Sequence, residues 1–181
     1  MHIEVIPASL DDKPLLQRML ELYEYDFSEF EGTDLDSHGC FGYPFLDLYW
    51  QEETRYPFII RVDGKLAGFV LVNQKTYLAE STWAVSEFFI MRKYRRKGVG
   101  KAAAFFIFNR FPGKWEVHEL QNNTESPRFW REIISEYIDG RFSEIQWHGE
   151  LSERPIQCFD NTVHRLQPGG SQSRGGAFGA K

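Results

Sequence analysis

A run of cations that ends in two glycines is the segment of the sequence best suited to chemistry. The segment RKYRRKGVGK occupies residues 92–101, and five of its first six residues are Lys or Arg. Glycines at positions 98 and 100 let a ligand approach the backbone without interference from a Cβ atom. If a helix begins there, its unpaired N–H groups and the positive end of its dipole face the same ligand. The segment therefore predicts an anion site, and phosphate is the anion that suits it best.

Apolar segments on either side of this basic turn predict the elements that position it. Residues 84–91, AVSEFFIM, are rich in aromatic and β-branched side chains, which favours a largely buried strand. After the glycines, AAAFFIFNRF is typical of an apolar helix, which Pro112 and Gly113 end. The sequence thus predicts a strand, a basic glycine turn and a helix, and we expect the remaining chain to be organised around this unit.

Two common phosphate loops fit the turn incompletely. A Walker A loop needs Gly where Arg95 stands and Ser or Thr where Ala102 stands, so it is excluded. The dinucleotide-binding fingerprint fits Gly98, Gly100 and Ala103, with Glu119 about 20 residues further on. That fingerprint, however, places its first glycine directly after the strand, whereas here residues 92–97 intervene.

A third loop matches in full. The pyrophosphate loop of the GNAT acyltransferases has the pattern [R/Q]-x-x-G-x-[G/A], and Arg95, Gly98 and Gly100 satisfy it directly after an apolar strand. The sequence therefore resembles the GNAT superfamily. A second patch supports the resemblance: the family often carries N-x-x-A-x-x-F-Y on the helix after the fifth strand. Residues 123–130, NTESPRFW, match it at Asn123 and Phe129, with Ser126 as a small replacement and Trp130 as a departure.

The order of predicted elements agrees with this resemblance. A first strand at residues 2–8 precedes a helix that ends near Phe30, and a hairpin follows with Asp63-Gly64 as its turn. After the central strand and helix come a strand at 115–120, a helix to about Tyr137 and closing strands at 142–147 and 155–159. The expected fold class is α+β, a GNAT-like mixed, mostly antiparallel central sheet flanked by helices, with one βαβ crossover after the central strand. We expect an acetyltransferase domain at residues 1–166 and a disordered Gly/Ser-rich tail at 167–181.

Composition narrows the functional classes. The net charge of −5 argues against a general nucleic-acid binder, and no apolar run is long enough to span a membrane. Cys40 and Cys158 lack metal-ligand spacing and suit reduced thiols in a cytoplasmic protein, and the five histidines form no cluster. We therefore expect no metal, no nucleic-acid partner and no membrane partner.

An acidic stretch rich in aromatic residues precedes the hairpin. Residues 19–54 contain ten acidic residues and no Lys or Arg, interleaved with Tyr, Phe and Trp. One interpretation is a solvated acidic face over an aromatic core. The other is a cavity wall that selects a cation, and the resemblance favours it because this region of GNAT proteins contributes to the acceptor pocket.

The resemblance implies roles for individual residues. The coenzyme would contact, by this likeness, Phe89, Ile90, Met91, Arg95, Arg96, Lys97, Gly98, Val99, Gly100, Lys101 and Asn123. Asn123 also suits a helix cap, and the two uses are compatible. Glu87 is the one acid in the central strand and would remove the proton from an amine, unless it faces solvent or pairs with a cation. An indole N–H at Trp130 cannot replace the family's acidic Tyr, so Tyr137 or water would protonate the coenzyme thiolate.

These expectations favour an acetyl-CoA-dependent N-acetyltransferase that transfers an acetyl group to an amine by direct attack on the thioester. The acceptor would be a small cationic molecule or a protein amine, and a homodimer is compatible with the resemblance. The alternative is a GNAT-shaped coenzyme-binding or interaction module with little turnover, for which Trp130 is the main motive. A dinucleotide-dependent oxidoreductase is a distant third.

Overall fold

The computed structural model describes residues 1–119, 123, 125–149 and 153–162, so the predicted tail at 167–181 lies outside the described residues. The predicted elements are all found within that part. They are β1 (Ile3–Pro7), α1 (Lys13–Glu31), β2 (Arg55–Val62), β3 (Lys65–Asn73), β4 (Trp83–Ile90), α2 (Val99–Arg110), β5 (Lys114–His118), α3 (Glu125–Tyr137), β6 (Phe142–His148) and β7 (Glu153–Asp160). No helix of the described chain is both long and apolar enough to cross a bilayer.

The seven strands form one mixed sheet in the order β1-β2-β3-β4-β5-β7-β6. Each neighbouring pair is antiparallel except β4 and β5, which α2 connects in parallel. This confirms the predicted α+β sheet with one crossover. A doubly wound dinucleotide domain needs a mostly parallel sheet, so the fold removes the basis of the oxidoreductase interpretation.

Alternate residues of the central strands belong to different cores, so helices cover both faces of the sheet. On one face, Leu16 and Leu20 of α1 pack with Phe69 and Phe89. On the other face, residues of α2 and α3 such as Phe108 and Ile134 pack with Val70, Val72 and Trp115. The sheet is therefore a central layer, and its middle strands have buried side chains on both sides.

The strands β4 and β5 pair over only three residues and then diverge. Their last pair among the described residues is Val85 with Val117. Next to it, β4 has a bulge, because Val72 of β3 pairs with Val85 whereas Leu71 pairs with Glu87. Ser86 is the extra residue, and a bulge of this kind changes which face the following side chains occupy. As a result Glu87 lies on the α1 side of the sheet, while Val85 packs with α2 and α3.

Candidate active site

A cavity of about 390 Å³ lies where β4 and β5 diverge. Its lining residues come from α1, from the segment 41–45, from both diverging strands and from the start of α3. Four of them are glutamates, at positions 24, 31, 87 and 119. A space that opens between two parallel strands at their carboxyl ends is a common location for a ligand in sheets of this type.

Glu87 is the most constrained acid in this cavity. Tyr23 and Tyr43 each donate a hydrogen bond from the phenolic oxygen to a different carboxylate oxygen of Glu87, the second at 2.9 Å. Burial raises the pKa of Glu87 to about 7, although the two tyrosine hydrogen bonds act in the opposite direction. Near neutral pH this carboxyl group therefore exists in both protonation states, which is the property that a general base needs.

A second acid next to Glu87 responds to the same surroundings. Burial raises the pKa of Glu24 to about 7, and the charges of Glu87, Glu31 and Glu21 add to the shift. Such mutual repulsion favours a cation in the cavity, since a positive charge would relieve it.

The basic turn has the backbone geometry of an anion site. Gly98 precedes α2 with a left-handed φ of 78°, and the first backbone N–H bonded inside the helix is that of Ala102, to the Gly98 oxygen at 3.0 Å. The N–H groups of residues 99–101 therefore project from the helix end. Gly100 lies against the ring of Phe129, which a Cβ atom would meet at 3.1 Å. Because the Val99 side chain is fully buried, only its backbone can serve a ligand.

The cationic side chains of the turn do not all face outward. Asp26 of α1 accepts hydrogen bonds from Arg92 at 2.7 and 3.1 Å and also pairs with Arg95. The Nε atom of Arg95 additionally donates to the backbone oxygen of Ile90 at 2.7 Å. Thus the Arg95 side chain is engaged with α1 and with the end of β4.

The other predicted residues of the turn have separate surroundings. Arg96, in a left-handed conformation with a φ of 57°, and Lys97 are both exposed. Lys101 forms an ion pair with Glu136 of α3.

The three predicted backbone contacts at the end of β4 differ in their availability. The Met91 N–H donates to the Ala67 oxygen at 2.8 Å and is therefore used by the sheet. Since backbone groups alternate along a strand, the Ile90 N–H points to the opposite edge, from which β5 has diverged. Phe89 instead directs its ring into the core beneath α1. Of the three residues, Ile90 offers its amide towards the opening.

The residues predicted on α3 are not all brought to the cavity. Asn123 lines the cavity, and its Oδ1 accepts a hydrogen bond from the Ser126 N–H at 3.1 Å, as a helix cap does. Trp130 also lines the cavity, and its buried ring packs edge-on against Phe88 with centroids 4.9 Å apart. Tyr137 is buried in the core beyond α2 and donates to Asn109 Oδ1 at 2.9 Å. The structure does not bring Tyr137 together with Glu87.

The acidic stretch proves to be divided between two uses. Glu24 and Glu31 line the cavity, together with Phe27, Phe41 and Phe45. Others are engaged within the fold: Glu21 accepts the backbone N–H groups of residues 41 and 42, and Asp36 accepts those of residues 38 and 40. Glu29 and Asp34 border a different depression, beside Asp26 and Arg92. Only part of the stretch therefore lines the cavity, and the predicted cation-selecting wall would be restricted to that part.

Sequence reasoning missed the tyrosines that hold Glu87. Tyr23 and Tyr43 both belong to the acidic, aromatic stretch, but nothing in their spacing distinguishes them from the core aromatics around them. It also missed the bulge at Ser86, since alternation alone would assign Glu87 to the other face.

Comparison with known proteins is consistent with this geometry. The family model of the acetyltransferase (GNAT) family matches residues 16–133. Among solved structures, an acetyltransferase from Thermus thermophilus has a TM-score of 0.65 and 16% identity, covering 88% of this chain and 97% of that one. The PaiA N-acetyltransferase from Thermoplasma acidophilum, solved in complex with coenzyme A, has a TM-score of 0.56 and 13% identity, covering 88% and 99%.

A spermidine N-acetyltransferase is also similar in fold. This chimera of Vibrio cholerae SpeG and hSSAT has a TM-score of 0.59 and 12% identity, covering 92% of this chain and all of that one. A comparison with curated protein sequences finds no match. The structural similarities show the shared fold, and the family model covers well over half of the 181 residues. The chain belongs to the GNAT acetyltransferase family.

Proposed function

We propose that this chain is an acetyl-CoA-dependent N-acetyltransferase that transfers the acetyl group directly to a cationic amine. The observation that carries this proposal is Glu87, a half-buried acid with a pKa of about 7, held by two tyrosines in a cavity between diverging strands. An amine is protonated near neutral pH and must lose a proton before it can attack. Glu87 is the group in this cavity best suited to accept that proton, and the attack needs no covalent enzyme intermediate.

The basic turn is suited to binding acetyl-CoA, the acetyl donor. The projecting N–H groups of residues 99–101 and the positive end of α2 would bind the pyrophosphate, with Arg96 and Lys97 adding charge. Gly98 and Gly100 keep side chains away from this backbone, and Ile90 would pair with the pantetheine arm. The coenzyme supplies the activated acyl group, and the strand geometry beside Glu87 would hold the thioester where an amine can reach it.

The acceptor class follows from the charge of the cavity. Glu24, Glu31 and Glu87 offer negative charge, and aromatic side chains between them suit contact with an ammonium group. Solved structures similar in fold include a spermidine N-acetyltransferase and a ribosomal-protein-S18-alanine N-acetyltransferase from Escherichia coli. We therefore propose a small cationic amine or a protein amine as acceptor, with a polyamine as the first compound to test.

Incubation with acetyl-CoA and a panel of amines tests this function directly. The panel should contain polyamines, aminoglycosides and peptides with a free amino terminus, and release of the coenzyme thiol should be followed. We expect thiol release that requires both protein and amine, with the acetylated amine detected by mass spectrometry. Thiol release that does not depend on any amine would show hydrolysis instead of transfer.

Neutralising the cavity carboxylates should weaken the binding of the acceptor but not that of acetyl-CoA. We expect Glu24→Gln combined with Glu31→Gln to raise the KM for a polyamine, each residue contributing about 1 kcal/mol or less because both are partly solvated. The affinity for acetyl-CoA should not change. Glu29→Gln combined with Asp34→Asn is the matched control, because it removes the same charge outside the cavity. Equal effects of the two double variants would mean that only the overall charge of this region matters.

Removing one tyrosine hydrogen bond should shift the pH dependence of the reaction. The Tyr43 hydroxyl stabilises the carboxylate form of Glu87, so Tyr43→Phe should raise the pKa of Glu87 above about 7. The acidic limb of the pH profile of kcat/KM should then move to higher pH, and the ratio of variant to parent should approach one as the pH rises. Tyr25→Phe, a change at an exposed tyrosine of α1, is the control and should leave the profile in place. If the pH profile of Tyr43→Phe is unshifted, its acidic limb does not report the ionisation of Glu87.

A coenzyme-binding module without turnover is the second candidate. Trp130 favours it, because the family's usual proton donor is absent at that position and the indole is packed in the core. Calorimetric binding of acetyl-CoA without thiol release across the amine panel would support this candidate over the transferase.

A further inference from the structure

Glu119 is a buried acid to which the mechanism above gives no role. It directly follows β5, lines the cavity and is only 5% exposed. Neither of its carboxylate oxygens accepts a hydrogen bond from any residue in the part of the chain that the structure describes. A buried carboxyl group in such surroundings is costly, and its presence calls for an explanation.

Glu119 lies as many residues beyond the last β4–β5 pair as Glu87 does, although the bulge at Ser86 turns Glu87 to the α1 side of the sheet. Val85 and Val117 form the last pair before the strands diverge, and the two glutamates each lie two residues beyond it. The cavity that opens between the strands has both acids in its lining. Trp130 and Asn123, at the start of α3, line the same cavity. The Glu119 side chain thus borders the space beside Trp130, the position at which the family usually has a tyrosine that donates a proton.

The surroundings of Glu119 favour its protonated form. Burial raises the pKa of Glu119 to about 8, and the charge of Glu144 on β6 adds to the shift, whereas Arg131 of α3 and Gln157 of β7 oppose it. The pKa of the neighbouring His118 is lowered to about 4 by burial and by Arg154, so this imidazole is neutral at pH 7. Arg154 of β7 also lines the cavity, and the other charged lining residues besides Glu119 are the acids Glu24, Glu31 and Glu87.

We infer that Glu119 is the general acid that protonates the sulfur of the leaving coenzyme. This inference rests on the proposed transferase function. Glu87 first takes the proton of the ammonium group and passes it to water. The nitrogen lone pair of the resulting neutral amine then forms a bond to the thioester carbon, the C–S bond breaks, and its electron pair goes to sulfur. Sulfur takes the proton of Glu119, and Glu87 takes a proton from the acylated nitrogen. Glu87 then releases its proton to water while Glu119 regains one, which returns both groups to their starting states.

The division of labour has a physical basis in the two environments. Glu87 accepts two hydrogen bonds that stabilise its carboxylate, whereas the polar side chain of Gln157 only partly offsets the burial of Glu119, and neither oxygen of Glu119 has a partner at full hydrogen-bond geometry among the described residues. Two carboxyl groups whose surroundings differ in this way can act as base and acid at the same pH. A thiol has a pKa of about 8.5, so proton transfer from Glu119 to sulfur is nearly balanced in energy.

Glu119→Gln tests this role through the single-turnover rate of thiol formation, measured with acetyl-CoA and the best amine of the panel. We expect the variant rate at pH 7 to fall about 10²-fold, at the low end for general acid catalysis, because a thiolate is a fairly good leaving group. The parent rate should decline above about pH 8, where Glu119 loses its proton, and the variant should lack this decline. Glu119→Asp retains an acid and should recover part of the rate together with the decline.

Two further measurements separate this role from a structural one. Glu132→Gln removes an exposed acid of α3 and should leave the rate unchanged. In infrared spectra of the free protein, a protonated carboxyl band at pH 7 should be weaker in Glu119→Gln than in the parent. An active parent with equal rates in Glu119→Gln would overturn the assignment, as would the absence of that infrared difference. An inactive parent would instead refute the transferase function itself.

Discussion

Replacing Glu87 by Gln should lower kcat by about 10²–10⁴-fold, the range that a positioned base typically contributes. Gln keeps the size of the side chain and can still accept hydrogen bonds from Tyr23 and Tyr43, but it cannot take a proton. Because the pKa of Glu87 is about 7, the parent should gain rate as the pH rises through this value. The variant should lack this limb, so its deficit should shrink as the pH approaches the pKa of the amine, where free amine becomes plentiful.

The pH–rate profile of the Glu87 variant is the decisive measurement. Glu53→Gln, a change at an exposed acid, is the control for the loss of one negative charge. The folded state should tolerate Glu87→Gln. Folding raises the pKa of the Glu87 carboxyl group, so the protein becomes less stable as the pH rises above the pKa that this group has in the unfolded chain. The amide has no such loss, so thermal unfolding at pH 8 should not occur at a lower temperature than in the parent. A variant that matches the parent at every pH would mean that water or another group acts as the base.

Replacing Gly98 by Val should abolish most of the affinity for acetyl-CoA. The added side chain would project beside the N–H groups at the start of α2, and the structure leaves open space there, so it meets the ligand and not the protein. We expect the dissociation constant measured by calorimetry to rise at least tenfold, or about 1.4 kcal/mol. The left-handed φ of 78° adds backbone strain of about 1–2 kcal/mol, which should lower the unfolding temperature modestly.

Gly64→Val provides the matched control for this strain. Gly64 has a φ of 74°, also has open space around its missing Cβ, and lies in the β2–β3 turn. Gly64→Val should lower the free energy of unfolding by about as much as Gly98→Val does, and it should leave the affinity for acetyl-CoA unchanged. Equal affinities in folded Gly98→Val and in the parent would exclude this turn as the pyrophosphate site.

The sequence alone determined the elements and the basic turn because their signals are local. An apolar strand, a cationic turn with two glycines and an apolar helix stand within one continuous segment, at 83–110, and the structure has β4, the turn and α2 there. The hairpin at Asp63-Gly64 and the helix before Gly32 follow from turn and capping preferences of single residues. The family pattern at Arg95, Gly98 and Gly100 is equally short in range, and with the element order it was sufficient to predict the fold class.

Only the tertiary structure decided how the site is assembled, because its contacts join residues far apart in the chain. Tyr23 reaches Glu87 across 64 residues, and Asp26 reaches Arg95 across 69. Tyr137, an acid candidate in the sequence, has its hydroxyl on Asn109 in the core, because its place on α3 faces α2. The bulge at Ser86 reverses the face of Glu87, and the divergence of β4 from β5 brings Glu119 to the same cavity. Periodicity reports which residues are buried, but register and strand divergence depend on the packing of the whole sheet.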